Sequence, residues 1–223
     1  MIATVSCMEL RREDPFYRDP GFERMIIGRL DAEYVGTDNC VSKCHSHDKI
    51  AEYFRRSVHG EQLSIEDNLP LVNCESCHGP GSLAIAKIPE GEEGLKGRCD
   101  KSTLLDIANL PSGAKSLICL KCHAIVTREL LSHWRSGAHA LNGVSCFDCH
   151  KLHLGPGQKV TRQEADGLCL QCHSDGPDEL EPFSDHPSVG RKMVCIDCHN
   201  PHGSAREKLL KDGVLFPGQE NGG

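Results

Sequence analysis

Cysteine and histidine recur in one fixed arrangement along this chain of 223 residues. Five cysteine pairs follow the pattern CxxCH, and a sixth, CVSKCH, has one more residue between its cysteines. The CxxCH motifs are Cys74-Cys77-His78, Cys119-Cys122-His123, Cys146-Cys149-His150, Cys169-Cys172-His173 and Cys195-Cys198-His199, and the stretched motif is Cys40-Cys44-His45. Six copies of one binding motif therefore recur at short intervals along the chain, and the groups that they bind are expected to form much of its interior.

CxxCH is the pattern of covalent c-type haem attachment. The two thiols bond to the porphyrin, and the adjacent imidazole binds the iron from one face. Zinc and disulfides are the other interpretations of paired cysteines, but structural zinc requires no histidine directly after each pair. With 14 Cys in 223 residues, the chain is also poorer in cysteine than disulfide scaffolds. The sequence therefore predicts six covalent haem c groups, with all twelve motif cysteines as attachment sites and the six motif histidines as proximal ligands.

The composition agrees with a core built from cofactors. Aromatic residues make up only 4% of the chain, so the haems are expected to supply the large apolar surfaces that Phe and Trp supply elsewhere. The formal net charge of −7, to which haem propionates add, argues against nucleic-acid binding. No apolar run approaches the roughly 20 residues of a transmembrane helix.

The motifs form an internal repeat of dihaem units. Each unit has a first motif, 12–15 intervening residues, a lone histidine and a second motif. The predicted organisation, as one cooperative domain, is an N-terminal arm at 1–39, dihaem unit one at 40–78, an insertion at 79–118, dihaem unit two at 119–153, dihaem unit three at 169–202 and a C-terminal arm at 203–223.

Seven histidines outside the motifs are available for the distal side of six irons. Five occupy repeated places, either between the two motifs of a unit or three residues after its second motif: His59, His139, His186, His153 and His202. Dihaem unit one has Gly81 at the second of these places, so His47 is predicted as its replacement. His133 breaks the repeat and is assigned to packing beside Trp134. All six haems are thus expected to be bis-His and of low potential.

Secondary-structure signals are short and helical. Asp48 is a predicted N-cap for the helix KIAEYFRRSV, and AIVTRELLSHWRS has an apolar stripe formed by Ile125 or Val126 with Leu130 and Trp134. Ser204 and Glu207 form a capping-box pattern before REKLLK. No segment alternates like a strand. The expected fold is mostly irregular, with short α-helices wrapped around a chain of stacked haems in an extended multihaem cytochrome c, and with little or no β-sheet.

The segments EYVGTDNCVSKCH, YFRRSVHG, CESCHGPGS, LICLKCH, HWRSGAHALNGVSCFDCHKLH, LCLQCH and VCIDCHNPHGS resemble those of multihaem cytochromes of respiratory electron transfer. These include the periplasmic decahaem cytochromes of porin–cytochrome conduits and of dimethyl-sulfoxide respiration, and the pentahaem donor to nitrite reductase. The resemblance implies a haem wire whose partners are redox proteins, among them other cytochromes or an outer-membrane porin. It extends over residues 33–204, although six haems are fewer than the ten of a decahaem protein.

Covalent haem attachment indicates an extracytoplasmic protein, in the periplasm or at the cell surface. Met1 to Ser6 is too short for a secretory signal, so the chain is expected to be a mature or clipped form. MIATVSC resembles the end of a lipoprotein signal, with Cys7 as the acylated residue. Alternatively, Cys7 and Cys99, the two cysteines outside the motifs, could pair as a disulfide.

The sequence favours an electron-transfer protein over an enzyme, because the surplus of histidines leaves no iron with an open position. Two alternatives remain. A filament subunit would use its terminal arms to bind neighbouring copies in a homopolymer. A nitrite or hydroxylamine reductase would need an open iron site, and the CxxCK motif typical of nitrite reductases is absent.

Overall fold

The computed structural model describes residues 20–66, 71–126, 128–153, 161–173 and 193–214. The chain divides into two compact units. In the described residues, the larger unit comprises 20–66, 71–121 and 145–153, and the smaller comprises 122–126, 128–144, 161–173 and 193–214. Dihaem unit two therefore contributes residues to both.

Short helices joined by irregular segments make up the described residues. The helices are Pro20–Met25, Thr37–Cys40, Ile50–Arg55, Cys74–His78, Ser82–Ile85, Ser112–Val126, Arg128–Leu131, Ala138–Leu141, Cys146–Cys149, Arg162–Cys169 and Cys195–Cys198. A π-helix covers Val41–His45, and 3-10 turns cover Lys101–Thr103, Ile107–Asn109 and Glu207–Leu209. Residues His199 and Leu210 form an isolated antiparallel bridge, and no sheet is present in these parts of the chain. The prediction of a mostly irregular fold with short α-helices and little or no β-sheet is confirmed.

The second motif of each dihaem unit starts a helix that is capped by its own side chains. Ser76 N–H donates to Asn73 Oδ1 at 2.9 Å, and Asn73 N–H donates back to Ser76 Oγ at 3.1 Å. In the next two units the residue before the first cysteine donates its N–H to an aspartate inside the motif, Ser145 to Asp148 at 2.6 Å and Val194 to Asp197 at 3.0 Å. These bonds satisfy donors that the start of a helix leaves unpaired. They hold each motif in a defined local geometry.

Predicted helices agree with the structure to different degrees. Asp48 Oδ1 accepts from Ile50 N–H at 3.0 Å, as expected, and the helix ends at Arg55, before the predicted end at Val58. The stripe predicted from Ile125 or Val126 with Leu130 and Trp134 is not a single buried face, because Leu130 is 49% exposed whereas Trp134 is 6% exposed. The helix expected at REKLLK is wrong.

Tertiary hydrogen bonds explain the absence of that helix. Leu209 O accepts from Asn200 N–H at 2.7 Å, and Lys211 N–H donates to Cys198 O at 2.8 Å. These bonds tie the segment to the sixth motif, and Lys208 and Leu209 adopt positive φ angles of 55° and 58°. A 3-10 turn at Glu207–Leu209 forms instead of an α-helix.

Few apolar side chains are buried among the residues that the structure describes. In the larger unit they are Ala84 and four residues on one side of the helix Ser112–Val126, namely Ala114, Leu117, Ile118 and Leu120. In the smaller unit they are Trp134 and Ala165. Within the described ranges, no helix has the length and apolar character needed to cross a bilayer.

Candidate haem sites

The first cysteines of the two motifs in a dihaem unit contact each other, and this arrangement occurs three times. The pairs are Cys40 with Cys74 and Cys119 with Cys146 in the larger compact unit, and Cys169 with Cys195 in the smaller. Cysteines that lie 26 to 34 residues apart in the sequence are therefore side by side as attachment points. Two haems attached at such a pair would be close neighbours.

Before attachment, these contacts divide the thiols into two classes. The hydrogen bond from Cys40 lowers the pKa of Cys74 to about 6 and raises the pKa of Cys40. The equivalent hydrogen bond from Cys119 lowers the pKa of Cys146 to about 7 and raises the pKa of Cys119. Burial, followed by a hydrogen bond to Asp166, raises the pKa of Cys195 to about 12. In the first two dihaem units, the second motif thus contains the more acidic thiol.

Two pairs of histidines have the separation expected of axial ligands. The ring centroids of His78 and His153 are 6.0 Å apart, and those of His139 and His173 are 6.1 Å apart. Imidazoles bound to opposite faces of one iron, with metal–nitrogen bonds of roughly 2 Å each, place their ring centres about 6 Å apart. Each pair joins one motif histidine to one predicted distal histidine, so the residues fit a bis-His haem.

Hydrogen bonds at Nδ1 orient several of these rings. His139 Nδ1 bonds to Pro201 O at 2.9 Å, and His199 Nδ1 bonds to Lys208 O at 2.7 Å. A ligating histidine usually donates its second nitrogen to a carbonyl or carboxylate, which fixes the tautomer and the ring orientation. With Nδ1 donating, both rings would bind iron through Nε2.

The neutral imidazole is favoured at the pair in the larger unit. Burial lowers the pKa of His78, and the charge that His153 would carry lowers it further. Desolvation, followed by the charge of His45, lowers the pKa of His153. Iron binds the neutral form of imidazole, so this environment favours the ligating state.

Glu75 fixes the second motif to the chain that precedes the first. The residue is 3% exposed, and its carboxylate accepts backbone N–H bonds from Val35 at 2.9 Å, Gly36 at 2.8 Å and Gly81 at 2.8 Å. Three charge-assisted bonds compensate for the burial of the carboxylate. Glu75 was not identified from the sequence, where an acid between motif cysteines is indistinguishable from a solvated one.

Dihaem unit three is held together by polar contacts between its two motif helices. Arg162, at the start of the helix Arg162–Cys169, binds both oxygens of Asp197 at 3.0 and 2.5 Å. Asp166 Oδ1 accepts from Cys195 N–H at 2.7 Å. The helix that ends in the first cysteine of the fifth motif thus positions the start of the sixth.

The stretched first motif lies on a π-helix, Val41–His45. An α-helix advances by about 100° per residue, which places both cysteines and the histidine of CxxCH on one side. A π-helix advances by only about 80° per residue, so the longer steps from Cys40 to Cys44 and His45 span nearly the same angles. The extra residue is absorbed by the wider turn, and the three side chains retain the relative directions of an ordinary motif.

The predicted insertion folds onto this first motif. Gly94 N–H donates to Lys43 O at 2.7 Å, and Lys43 Nζ is 3.1 Å from Glu93 Oε1. Gly94 has a φ of +75°, and a Cβ there would collide with Ser46 Oγ. A residue with no side chain is therefore required where the two segments meet.

Cys44 forms a disulfide with Cys99, and their Cα atoms are 5.9 Å apart. Cys99 is thus paired with a motif cysteine, while Cys7, its other candidate partner, lies outside the described residues. A sulfur atom in a disulfide cannot also bond to a porphyrin. Haem attachment at Cys44 and the Cys44–Cys99 disulfide therefore exclude each other.

His47 lies beside His45 with their ring centroids 6.3 Å apart. A carboxylate contacts both rings: Asp48 Oδ2 is 2.8 Å from His45 Nδ1 and 3.6 Å from His47 Nε2. His47 Nδ1 bonds to Gly94 O at 2.9 Å. To bind an iron through Nε2, His47 would have to leave Asp48.

Other predicted ligands are placed less completely. His59, His123, His150 and His202 lie in the described residues, and the ring centroid of His202 is 6.5 Å from that of Trp134. His133, which the sequence assigns to packing, lies with its backbone against Gly203, where a Cβ would collide with His133 O. His186 lies outside the described residues. In the ranges that the structure covers, no group of three or more His, Cys, Asp and Glu side chains is arranged to hold a metal ion.

Comparison with known proteins agrees with this chemistry. The sequence model of the cytochrome c3 family matches residues 138–210, which contain the last three motifs. The multiheme cytochrome MtrA of Shewanella baltica (strain OS185) is 28% identical over 176 residues, covering 78% of this chain and 49% of that protein. The chain is therefore similar to multihaem c-type cytochromes.

This similarity indicates covalently bound haem c. The predicted resemblance is therefore confirmed. The chain spans about half the length of the relative that it matches.

Proposed function

We propose that this multihaem cytochrome carries single electrons by outer-sphere hopping between six covalently attached, bis-His haems. The observation that supports it best is that two motif histidines pair with histidines distant in the sequence, with ring separations of 6.0 Å for His78 and His153 and 6.1 Å for His139 and His173. In each pair a protein nitrogen would occupy both axial positions, which leaves no coordination site for a substrate. Bound haem supplies one-electron exchange between ferric and ferrous iron.

Contacts between the motif cysteines support the proposal that these electron sites lie close together. Contacts between Cys40 and Cys74, Cys119 and Cys146, and Cys169 and Cys195 bring two attachment points together in every dihaem unit. The π-helix at Val41–His45 supports a haem at the stretched motif as well. Attachment to Cys44 requires a free thiol that can add across a vinyl group, so a haem is bonded to Cys44 only in chains in which Cys44 and Cys99 have not formed the disulfide.

The proposed setting is extracytoplasmic respiration or extracellular electron transfer. Its proposed partners are other redox proteins, including cytochromes or a porin that holds the protein at an outer membrane. This assignment follows the resemblance in sequence to multihaem cytochromes of respiratory chains and the similarity to a multiheme cytochrome over 78% of the chain.

Spectroscopy of the purified holoprotein tests the proposal. Electron paramagnetic resonance should show low-spin ferric haem throughout, and carbon monoxide added to the reduced protein should barely change the Soret band. A large CO-reactive fraction would contradict bis-His ligation and would support a reductase instead. Intact mass should show six haems.

A further inference from the structure

Each of the two ring pairs joins histidines from different dihaem units. His153 follows the second motif of dihaem unit two, but its ring lies beside that of His78 in dihaem unit one. His139 lies between the motifs of dihaem unit two, but its ring lies beside that of His173 in dihaem unit three. Dihaem unit two thus presents one histidine to a motif before it and another to a motif after it.

Given the bis-His ligation of the proposed function, we propose that the dihaem units exchange distal ligands. His153 binds the iron of the haem attached at Cys74 and Cys77, opposite His78. His139 binds the iron of the haem attached at Cys169 and Cys172, opposite His173. The distal ligand of a haem is then supplied by a neighbouring unit rather than by the unit that attaches the haem.

Chain length disfavours the local alternative for His153. Only two residues separate it from His150, and three residue steps span about 10 Å when fully extended. A chain that places His150 and His153 on opposite faces of one haem must pass around the edge of the porphyrin. In the structure, His153 instead pairs with His78, which is distant in the sequence.

His139 is held in place by dihaem unit three. Pro201 O bonds to its Nδ1 at 2.9 Å, and Pro201 belongs to the same dihaem unit as His173. On the other side, Val144 N–H donates to His139 O at 2.9 Å and fixes the backbone. Because Nδ1 is engaged by Pro201, Nε2 is the nitrogen of His139 that remains for an iron shared with His173.

The boundary between the two compact units falls inside dihaem unit two, and it separates His139 from His153 as the proposed exchange of ligands would. Residues 145–153 of dihaem unit two belong to the larger unit, which contains His78. Residues 122–144, which include His139, belong to the smaller unit, which contains His173. A repeat that supplied its own ligands would be expected to remain whole.

The test combines a ligand substitution with removal of one chosen haem. His153→Ala is made in the complete holoprotein, in a C74A/C77A variant that lacks the haem of His78, and in a C146A/C149A variant that lacks the haem of His150. Electron paramagnetic resonance then counts high-spin ferric iron in each protein relative to its parent.

Exchange predicts one new high-spin iron in the complete protein and in C146A/C149A, and none in C74A/C77A. The opposite dependence, with the signal lost only in C146A/C149A, would overturn the exchange and leave the proposed function intact. So would the absence of any new high-spin iron in the complete protein. High-spin iron in the unsubstituted protein would instead contradict the proposed function.

Two further measurements distinguish loss of a ligand from misfolding of the variant. His153→Met supplies a thioether ligand, and exchange predicts a low-spin His–Met haem with a raised potential and its charge-transfer band in the complete protein. An experimental structure of the holoprotein shows the pairing without substitution. His153 Nε2 on the iron above His78 supports the exchange, and His153 on the iron above His150 overturns it.

The second pair provides a matched experiment. His139→Ala is made in the complete protein, in C169A/C172A and in C119A/C122A. Exchange predicts that the new high-spin signal disappears in C169A/C172A and persists in C119A/C122A. A signal that disappears only in C119A/C122A would show that His139 serves its own unit.

Discussion

The surroundings of His45 and of His78 differ although their neighbouring rings lie at similar distances. His45 is 6.3 Å from His47, which is two residues away, and one carboxylate, Asp48, contacts both rings. His78 is 6.0 Å from His153, which the fold brings from a distant part of the sequence. Separation alone therefore does not identify an axial pair. The second pair fits two ligands across an iron, whereas the first is a short-range cluster built around an acid.

The insertion adds to this difference. Around the first motif it supplies Cys99, Gly94 and Glu93 as partners for Cys44, His47 and Lys43. Around the second motif it supplies backbone donors, among them Leu105 N–H to His78 O at 2.9 Å and Gly81 N–H to Glu75 Oε1 at 2.8 Å. The insertion thus bonds to side chains at the first motif, including a motif cysteine, and the difference between the two regions depends on whether those bonds permit an ordinary haem.

Loss of a whole haem is the largest effect that separates the two regions. We expect C40A/C44A and C74A/C77A each to lower the haem content from six to five, because both motifs present two cysteines and a histidine on one side of a helical turn. Intact mass after removal of noncovalent haem measures the content. If C40A/C44A keeps the content of the unsubstituted protein, the stretched motif attaches no haem.

A change in spin state at one iron comes next. His47→Ala is expected to produce one high-spin iron, because His47 is the predicted replacement for the histidine missing at Gly81. His133→Ala is the matched control and should leave every iron low-spin. Electron paramagnetic resonance measures both variants. A high-spin signal from His133→Ala, with none from His47→Ala, would show that the two roles are reversed.

A smaller effect is expected on stability. Glu75→Gln replaces a carboxylate acceptor by an amide that presents N–H groups to backbone N–H groups, so we expect a loss of about 2 kcal/mol. Asp148→Asn, at the exposed cap of the fourth motif, should cost less, about 1 kcal/mol or below. Guanidinium unfolding followed in the Soret band compares the two. Equal losses would show that burial of Glu75 contributes little.

The smallest expected difference is a single thiol. If Cys44 is bonded to haem, Cys99 in the denatured holoprotein should be alkylated without a reductant, and peptide mapping should locate the label. Cys99→Ser serves as the control that lacks this label. Labelling of Cys99 only after reduction, together with a peptide that links it to Cys44, would show that the first haem is held by Cys40 alone.

Local features of the fold were predictable because their causes are local. Asp48 caps the helix Ile50–Arg55 as expected, and the irregular character of the chain follows from its Gly, Pro and short apolar segments. Tertiary bonds overrode the local pattern at Glu207–Leu209, where Asn200 and Lys211 tie the chain to the sixth motif.

Ligand identity could be proposed from the repeat, but ligand pairing could not. The repeat shows that His139 and His153 occupy recurring positions, and it contains no information about which iron each one faces. Pairing depends on contacts between distant segments, such as the bond from His139 to Pro201. The partner of Cys99 was missed for the same reason, because nothing in the sequence near Cys99 indicates that the insertion folds back onto Cys44.

Glu75 also shapes the energy landscape that an electron would meet. The acids inside the second motifs of the other dihaem units differ from it, because Asp197 is paired with Arg162 and Asp148 is exposed at a helix cap. Glu75 is buried and is compensated by backbone N–H groups rather than by a cation. A fixed negative charge opposes the arrival of another, and low local polarity strengthens that opposition. An electron on a haem beside Glu75 would therefore be higher in energy than an electron on a haem beside Asp197. Haems with the same ligands would then differ in reduction potential along the chain.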